Sequence, residues 1–245
     1  MHNSRDVFDN SKRFLDAYNN IDYTLKTRYN LNRSMGFSDL IRKTSTTNYI
    51  VKKYEDDLVD YGRLRNAIIH NNNEDFVIAE PHDSVVENIE HIEKLLAKPP
   101  KALDTVARRE VKIISSGKCM RDVITEMSST GFSNIPVYDK KGELIGVANG
   151  QKILSSFGLY LLAGGKSETF LNNVQIEDML SSLDDTDYYC VKNENCTVEE
   201  AIEEFNENRK LLAILFTKKG KTSELPLGIM TGANMVDAQN ILENY

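Results

Sequence analysis

Arg65-Asn66-Ala67-Ile68-Ile69-His70 is the segment whose residue types and spacing could carry chemistry. An imidazole titrates near neutral pH and can move a proton in either direction. A guanidinium holds developing anionic charge through a planar fork of donors. Asn66 and His70 are four positions apart, so on a helix they share a face and the amide could orient the ring. Arg65 and His70 are five apart, ~140° around a helix of 3.6 residues per turn. One helix therefore presents them poorly to a single anion. A plainer reading stands beside this one. Arg65 would pair with an acidic neighbour such as Asp60, and His70 would sit at a helix C-terminus, where a cation is favoured.

Other candidate chemistry is thinner. Gly164-Gly165-Lys166-Ser167 ends like a phosphate-binding loop, but the pattern needs glycine at position 160 and the residue is Tyr160. The stretch from Gly158 to Ser167 reads as a linker. Three cysteines, Cys119, Cys190 and Cys196, form no CxxC, and the four histidines do not join them at metal-ligand spacing. No metal is expected, and a reducing, cytoplasmic setting fits. The net charge of −7 argues against binding to nucleic acid or anionic membrane by bulk charge. The longest apolar run, Leu211 to Phe216, has the length of a buried strand and not of a membrane span.

The elements that must position these residues change character near residue 100. Lys98-Pro99-Pro100-Lys101 cannot continue a helix. Before it, helical patterns dominate. One helix is predicted over Asp6 to Asn19. A second is capped by Thr46 or Thr47 and carries Ile50, Tyr54, Leu58, Tyr61 and Ala67/Ile68 at spacings of three and four, with Asn71-Asn72-Asn73 as its stop. A last helix is predicted from Pro81 to Lys98. An α-bundle of four or five helices follows, with His82 and His91 as surface or capping residues. After the double proline, the order β-α-β-β-α occurs twice. One copy runs from Val111 to about Phe157 and the other from Tyr188 to about Leu242, with Lys-Lys-Gly turns at 140–142 and 218–220. Each copy is too small to bury a core alone, so the two should pack together.

This repeat resembles a tandem pair of CBS domains, a Bateman module. The likeness rests on the run from Met127 to Asp139, on Gly142-Glu143-Leu144-Ile145-Gly146-Val147, on Thr197-Val198-Glu199-Glu200-Ala201 and on Leu227-Gly228-Ile229-Met230-Thr231. It implies adenine-nucleotide or adenosyl ligands (AMP, ADP, ATP) in clefts between the repeats, often in a dimer of pairs. The family's ligand motif is a glycine, two apolar residues, Ser or Thr, two variable residues and Asp. By that resemblance, Gly228, Thr231, Asn234 and Asn149 are the candidate nucleotide residues. In the first copy Asn149 replaces the hydroxyl and Lys152 replaces the Asp. Thr231 could equally be a simple helix cap.

The helical part resembles HEPN domains through R-x4-H, through the polar Asn66 after the arginine and through its place near the end of a long helix. That resemblance implies a metal-independent endoribonuclease. The RNA 2′-OH would attack the adjacent phosphate, His70 would transfer the proton and Arg65 would hold the charge. Two motifs would meet in a homodimer. Some such domains are instead non-catalytic dimerisation elements.

The expectation is therefore an all-α bundle at 1–98, a linker at 99–110, and an α/β (α+β) CBS pair at 111–165 and 166–245. The function expected is a HEPN-type endoribonuclease regulated by an adenine nucleotide. The alternative is a non-catalytic nucleotide-sensing or dimerisation scaffold. Expected partners are a second copy, a nucleotide and RNA in a local cleft, with no membrane and no metal.

Overall fold

The computed structural model describes residues 7–69, 80–183 and 187–245. The chain forms two compact units, residues 1–100 with Leu242–Tyr245, and Lys101–Ile241.

The first unit is helical. Its elements are α1 (Val7–Arg28), α2 (Phe37–Thr44), α3 (Tyr49–Lys53), α4 (Glu55–Ile69) and α5 (Asp83–Ala97). Helix α1 runs nine residues beyond its predicted end. Ala17, Ile21 and Leu25 continue the buried stripe at spacings of four, and all are at most 2% exposed. It packs chiefly on α5, whose Val86, Ile89, Ile92, Leu95 and Leu96 are fully buried. The Arg13 guanidinium joins this pair to Glu90 through Nε (2.9 Å) and Nη2 (2.6 Å). Both side chains are more than a third exposed, so the pair contributes about 1 kcal/mol at most.

The predicted middle helix is two helices. Asn48, and neither Thr46 nor Thr47, is the cap, and its Oδ1 accepts from the Val51 N–H at 2.8 Å. Both threonine hydroxyls bond backwards, to the Lys43 and Thr44 carbonyls. The chain leaves helical geometry at Tyr54 and restarts at Glu55. Glu55, Asp56 and Asp57 place negative charge in the new first turn, where the helix dipole favours it. The expected stop at Asn71-Asn72-Asn73 lies outside the described residues. Helix α5 starts at Asp83, because His82 takes the N-cap position and its Nδ1 accepts from the Ser84 N–H. His91 is half-buried, and desolvation lowers its pKa.

The second unit opens with α6 (Ala102–Thr105). It continues through β1 (Ile114–Ser115), α7 (Met120–Thr130), β2 (Asn134–Tyr138), β3 (Leu144–Asn149), α8 (Gly150–Leu162), α9 (Ser167–Asn173) and α10 (Ile176–Ser181). Then come β4 (Tyr189–Asn193), α11 (Val198–Glu207), β5 (Ala213–Thr217), β6 (Gly228–Thr231), a 3-10 turn at 232–234 and α12 (Met235–Asn244). The two sheets have the same wiring. In each, the first strand pairs parallel with the second, and the second antiparallel with the third. Helix α7 stops at Gly131, whose φ of 71° is the left-handed region that glycine adopts without strain. Tyr138, Leu144 and Val147 of the first sheet share one buried cluster with Ala213, Leu215 and Ile229 of the second.

Three features depart from the predicted layout. The 99–110 stretch is not a free connection. It holds α6, and Arg108 exchanges both backbone hydrogen bonds with Ile229 of β6, at 2.9 and 3.0 Å. The predicted linker from Gly158 to Ser167 is mostly helix, since α8 runs to Leu162 and α9 begins at Ser167. Helices α9 and α10 themselves carry no signal in the predicted repeat, yet Phe170, Ile176 and Met179 are core residues.

The helices leading into the repeats are exchanged. Helix α10 runs toward β4 but packs on β3 of the other sheet, and α6 runs toward β1 but packs on β6. Glycines allow both approaches. A Cβ at Gly146 would lie 3.0 Å from Leu180 of α10, and one at Gly228 would lie 2.6 Å from Leu103 of α6.

Candidate functional site

Thr231 and Asn149 occupy matching corners, each where the last strand of a sheet turns into a helix. The chemistry at the two corners differs. Asn149 is 7% exposed. Its Oδ1 accepts from the Gln151 and Lys152 N–H groups at 3.0 Å each, and its amide donates to Asn134 at 2.8 Å. Both carbonyl lone pairs are committed to capping α8. Lys152, at the position of the motif's Asp, lies over the Tyr188 ring at 4.2 Å. The Tyr188 hydroxyl in turn donates to the Val147 carbonyl at 3.0 Å. The Asn149 carbonyl is thus engaged within the corner, and Lys152 is half-buried beside it.

At the other corner Thr231 is half-buried, and Gly232 and Ala233 are exposed. Asn234 folds back on the threonine. Its Oδ1 accepts from the Thr231 N–H at 3.0 Å and from the hydroxyl at 3.2 Å. The cap geometry expected as the plainer reading is thus present. Thr231 and Asn234 close a reciprocal capping box, so the Asn234 carbonyl is engaged and the Thr231 hydroxyl oxygen faces the Asn234 N–H. Gly228 is explained by packing, since its missing Cβ is the space that Leu103 occupies.

Arg108 is the residue that the sequence reading missed here. Its backbone pairing with Ile229 sets it two residues along β6 from Thr231. Its guanidinium stacks on Phe132, 3.4 Å from the ring centroid. Its Nε is buried without a hydrogen-bond partner among the described residues. Burial lowers its pKa, with Glu110 opposing. No motif surrounds Arg108, so only the tertiary pairing could reveal it.

In the helical unit, Arg65 and Asn66 lie in the last turns of α4. Arg65 does not pair with Asp60, which is held by Arg63 at 2.6 Å. Its Nη1 donates to Asn66 Oδ1 at 3.2 Å, and its Nε is buried without a partner among the described residues. The Arg65 guanidinium sits 5.9 Å from the Tyr18 ring centroid. Burial pushes the Tyr18 hydroxyl up to about 12, with Arg65 opposing, so it stays protonated at neutral pH. His70 lies outside the described residues.

The cysteines offer no nucleophile in the second sheet. Burial raises the Cys190 thiol to about 11 and the Cys196 thiol to about 12, so both stay protonated at neutral pH. Among the described residues no group of three His, Cys, Asp or Glu could hold a metal ion, and no helix is long and apolar enough to cross a membrane.

Residues 104–157 match the CBS domain family, so this part of the chain is a CBS domain. The match begins inside the stretch that the sequence pattern reads as a linker, where α6 starts the packed unit. Solved CBS structures also resemble the chain. The structure of CBSX2 in complex with AMP is 18% identical, covers 59% of this chain and 98% of its own, and has a TM-score of 0.43. The CBS domain of the bacterial CNNM/CorC family Mg2+ transporter in complex with ATP is 17% identical, covers 62% and 96%, and has a TM-score of 0.43. A CBS domain-containing protein of unknown function from Kribbella flavida is 12% identical, covers 58% and 99%, and has a TM-score of 0.45. No curated protein matches the chain.

Proposed function

We propose that residues 101–241 form a CBS pair acting as a nucleotide sensor, with one adenine-nucleotide site at the Thr231 corner. The asymmetry between the two corners carries this reading. The Asn149 carbonyl is spent on capping α8, and Lys152, where the motif has an Asp, lies over the Tyr188 ring. Beside the other corner, Arg108 has a buried donor with no acceptor among the described residues. An unpaired buried donor costs about 1–3 kcal/mol, and a phosphate oxygen would relieve that cost. Thr231 adds a hydroxyl and Asn234 an amide for the ribose, once its cap bond to Thr231 is exchanged. The solved AMP and ATP complexes of other CBS proteins agree with this ligand class.

The helical unit is the proposed output, as a HEPN-type metal-independent endoribonuclease using Arg65, Asn66 and His70. The observation in its favour is that Arg65 has no carboxylate partner among the described residues, as a charge-stabilising arginine requires. A homodimer would bring two such motifs to one RNA cleft. A nucleotide could control it only by favouring one dimer arrangement over another.

Calorimetry with AMP, ADP, ATP and adenosyl compounds should give one site per chain. Thr231→Val and Arg108→Gln should each weaken it about tenfold or more, and Lys152→Met should leave it unchanged. Two equal sites, or binding indifferent to Arg108→Gln, would refute the assignment. The same preparations, incubated with structured RNA in EDTA, separate enzyme from scaffold. Cleavage that persists in Arg65→Ala and His70→Ala rejects the motif, and no cleavage with any nucleotide present supports the scaffold.

A further inference from the structure

Helix α12 starts at the Thr231 corner and ends in the helical unit. It begins at Met235, directly after the turn that Thr231 and Asn234 cap, and Leu242–Tyr245 belong to the helical unit. Ala238 and Leu242 are four positions apart, so they share a face, and both are at most 1% exposed. No glycine or proline interrupts Met235 to Asn244. Ten residues at about 1.5 Å each make a rod ~15 Å long with no hinge in it.

Three side chains of the helical unit hold the far end of this rod. Lys53 of α3 pairs with Glu243 at 3.4 Å. Lys94 of α5 donates to the Tyr245 carbonyl, and its Nζ lies 4.4 Å from the centroid of the Tyr245 ring. The His91 ring, also on α5, has the Leu242 carbonyl beside it and stands edge-on to Tyr54 at 6.2 Å. Its Nε2 is buried without a partner among the described residues. Burial disfavours a charged ring there, the Leu242 carbonyl favours it, and Lys53 and Lys94 again disfavour it. The balance lowers the pKa, so His91 is neutral at neutral pH and reports how tightly this end is packed.

A nucleotide at the corner requires Asn234 to give up its bonds to the Thr231 N–H and hydroxyl, at 3.0 and 3.2 Å. Asn234 immediately precedes α12, so the exchange acts on the start of the helix. We propose that α12 is a coupling helix whose latch on Lys53, His91 and Lys94 opposes that exchange. A rod without a hinge carries a displacement at its start to its end. A bound nucleotide therefore strains the latch, and a fastened latch weakens nucleotide binding. By linkage the two effects are equal in size. The device rests on the nucleotide reading of the Thr231 corner. It supplies, within one chain, the differential contact by which a nucleotide would favour one arrangement of the helical unit over another.

The test uses the full chain. AMP and ATP are titrated by calorimetry into the unaltered protein and into Lys53→Met/Lys94→Met, which keeps the apolar stems and removes both latch cations. The variant should bind the preferred nucleotide about fivefold or more tightly. Loss of two positive charges would by itself weaken an anion, so the expected sign is opposite to that of bulk charge. In the unaltered protein the His91 ring, followed by its proton resonance, should titrate at higher pH with nucleotide bound than without. Gln239→Gly puts a flexible joint at an exposed position of α12 and should cancel that response while the nucleotide still binds. Equal affinity in the two proteins, or a His91 titration that ignores bound nucleotide, overturns the device and leaves the nucleotide site standing. A response that survives Gln239→Gly also overturns it, since the signal then does not travel along the helix. Absence of binding in both proteins removes the nucleotide reading, and the device with it.

Discussion

Phe170→Ala is expected to destabilise the 101–241 unit by about 3–5 kcal/mol, the range for emptying a buried aromatic site. Phe170 is 1% exposed, and its ring lies 5.0 Å from that of Phe157 and 5.4 Å from that of Tyr160. The same cluster includes Ile153, Ile176 and Met179, and Phe170 is the fully buried side chain by which α9 joins it. Domains are stable by only about 5–15 kcal/mol in all, so the loss is a large share of the total. Urea unfolding followed by near-ultraviolet circular dichroism measures it, with the exposed neighbour Thr169→Ala as control. A residue in a connecting loop would change stability by less than about 0.5 kcal/mol. A Phe170→Ala effect of that size would mean that α9 does not pack as described.

The exchanged helices give the second large effect, and here two substitutions must be made together. A Cβ at Gly228 would meet Leu103 Cδ1 at 2.6 Å, with Ala107 Cβ and the Arg108 carbonyl at 3.4 Å. Gly228→Ala should therefore cost about 1–3 kcal/mol by overpacking. Leu103 is 4% exposed, and Leu103→Ala should cost about 2–5 kcal/mol by leaving a cavity. In the double variant the new methyl enters the space that Leu103 vacates. Its cost should fall below the sum of the single costs by about 1 kcal/mol or more. Additive effects would show that α6 does not seat on β6 through these two residues.

These predictions concern segments that local pattern could not read. The strands and helices of each repeat were legible because each has its own period and a turn to close it. The Lys-Lys-Gly turns mark the hairpins, Thr197 caps α11 through a reciprocal bond with Glu200, and Leu211 to Phe216 covers all but the last residue of the buried strand β5. Helices α6 and α10 are short, at four and six residues. Helices of that length carry little periodic signal and are stabilised by what they pack against. Their partner strands are more than 25 residues away in sequence, so nothing local announces them. The split at Tyr54 was hidden for a related reason. The apolar spacing runs through it, and only the capping by Asn48 and the acidic first turn of α4 mark two helices.

The candidate sites divide the same way. By itself the sequence determined the β-α-β-β-α repeat and singled out the corner residues Thr231 and Asn149 and the Arg65-Asn66 pair as candidates, because each depends on residue type and short spacing. Tertiary structure decided what those residues can do. It engaged the Asn149 carbonyl in capping α8, set Lys152 over the Tyr188 ring and packed Gly228 against Leu103. It also brought Arg108 beside β6 and laid the end of α12 against Lys53, His91 and Lys94. The reason is physical. A side chain's type sets the bonds it can make, but whether its donors are already spent depends on neighbours that only folding supplies.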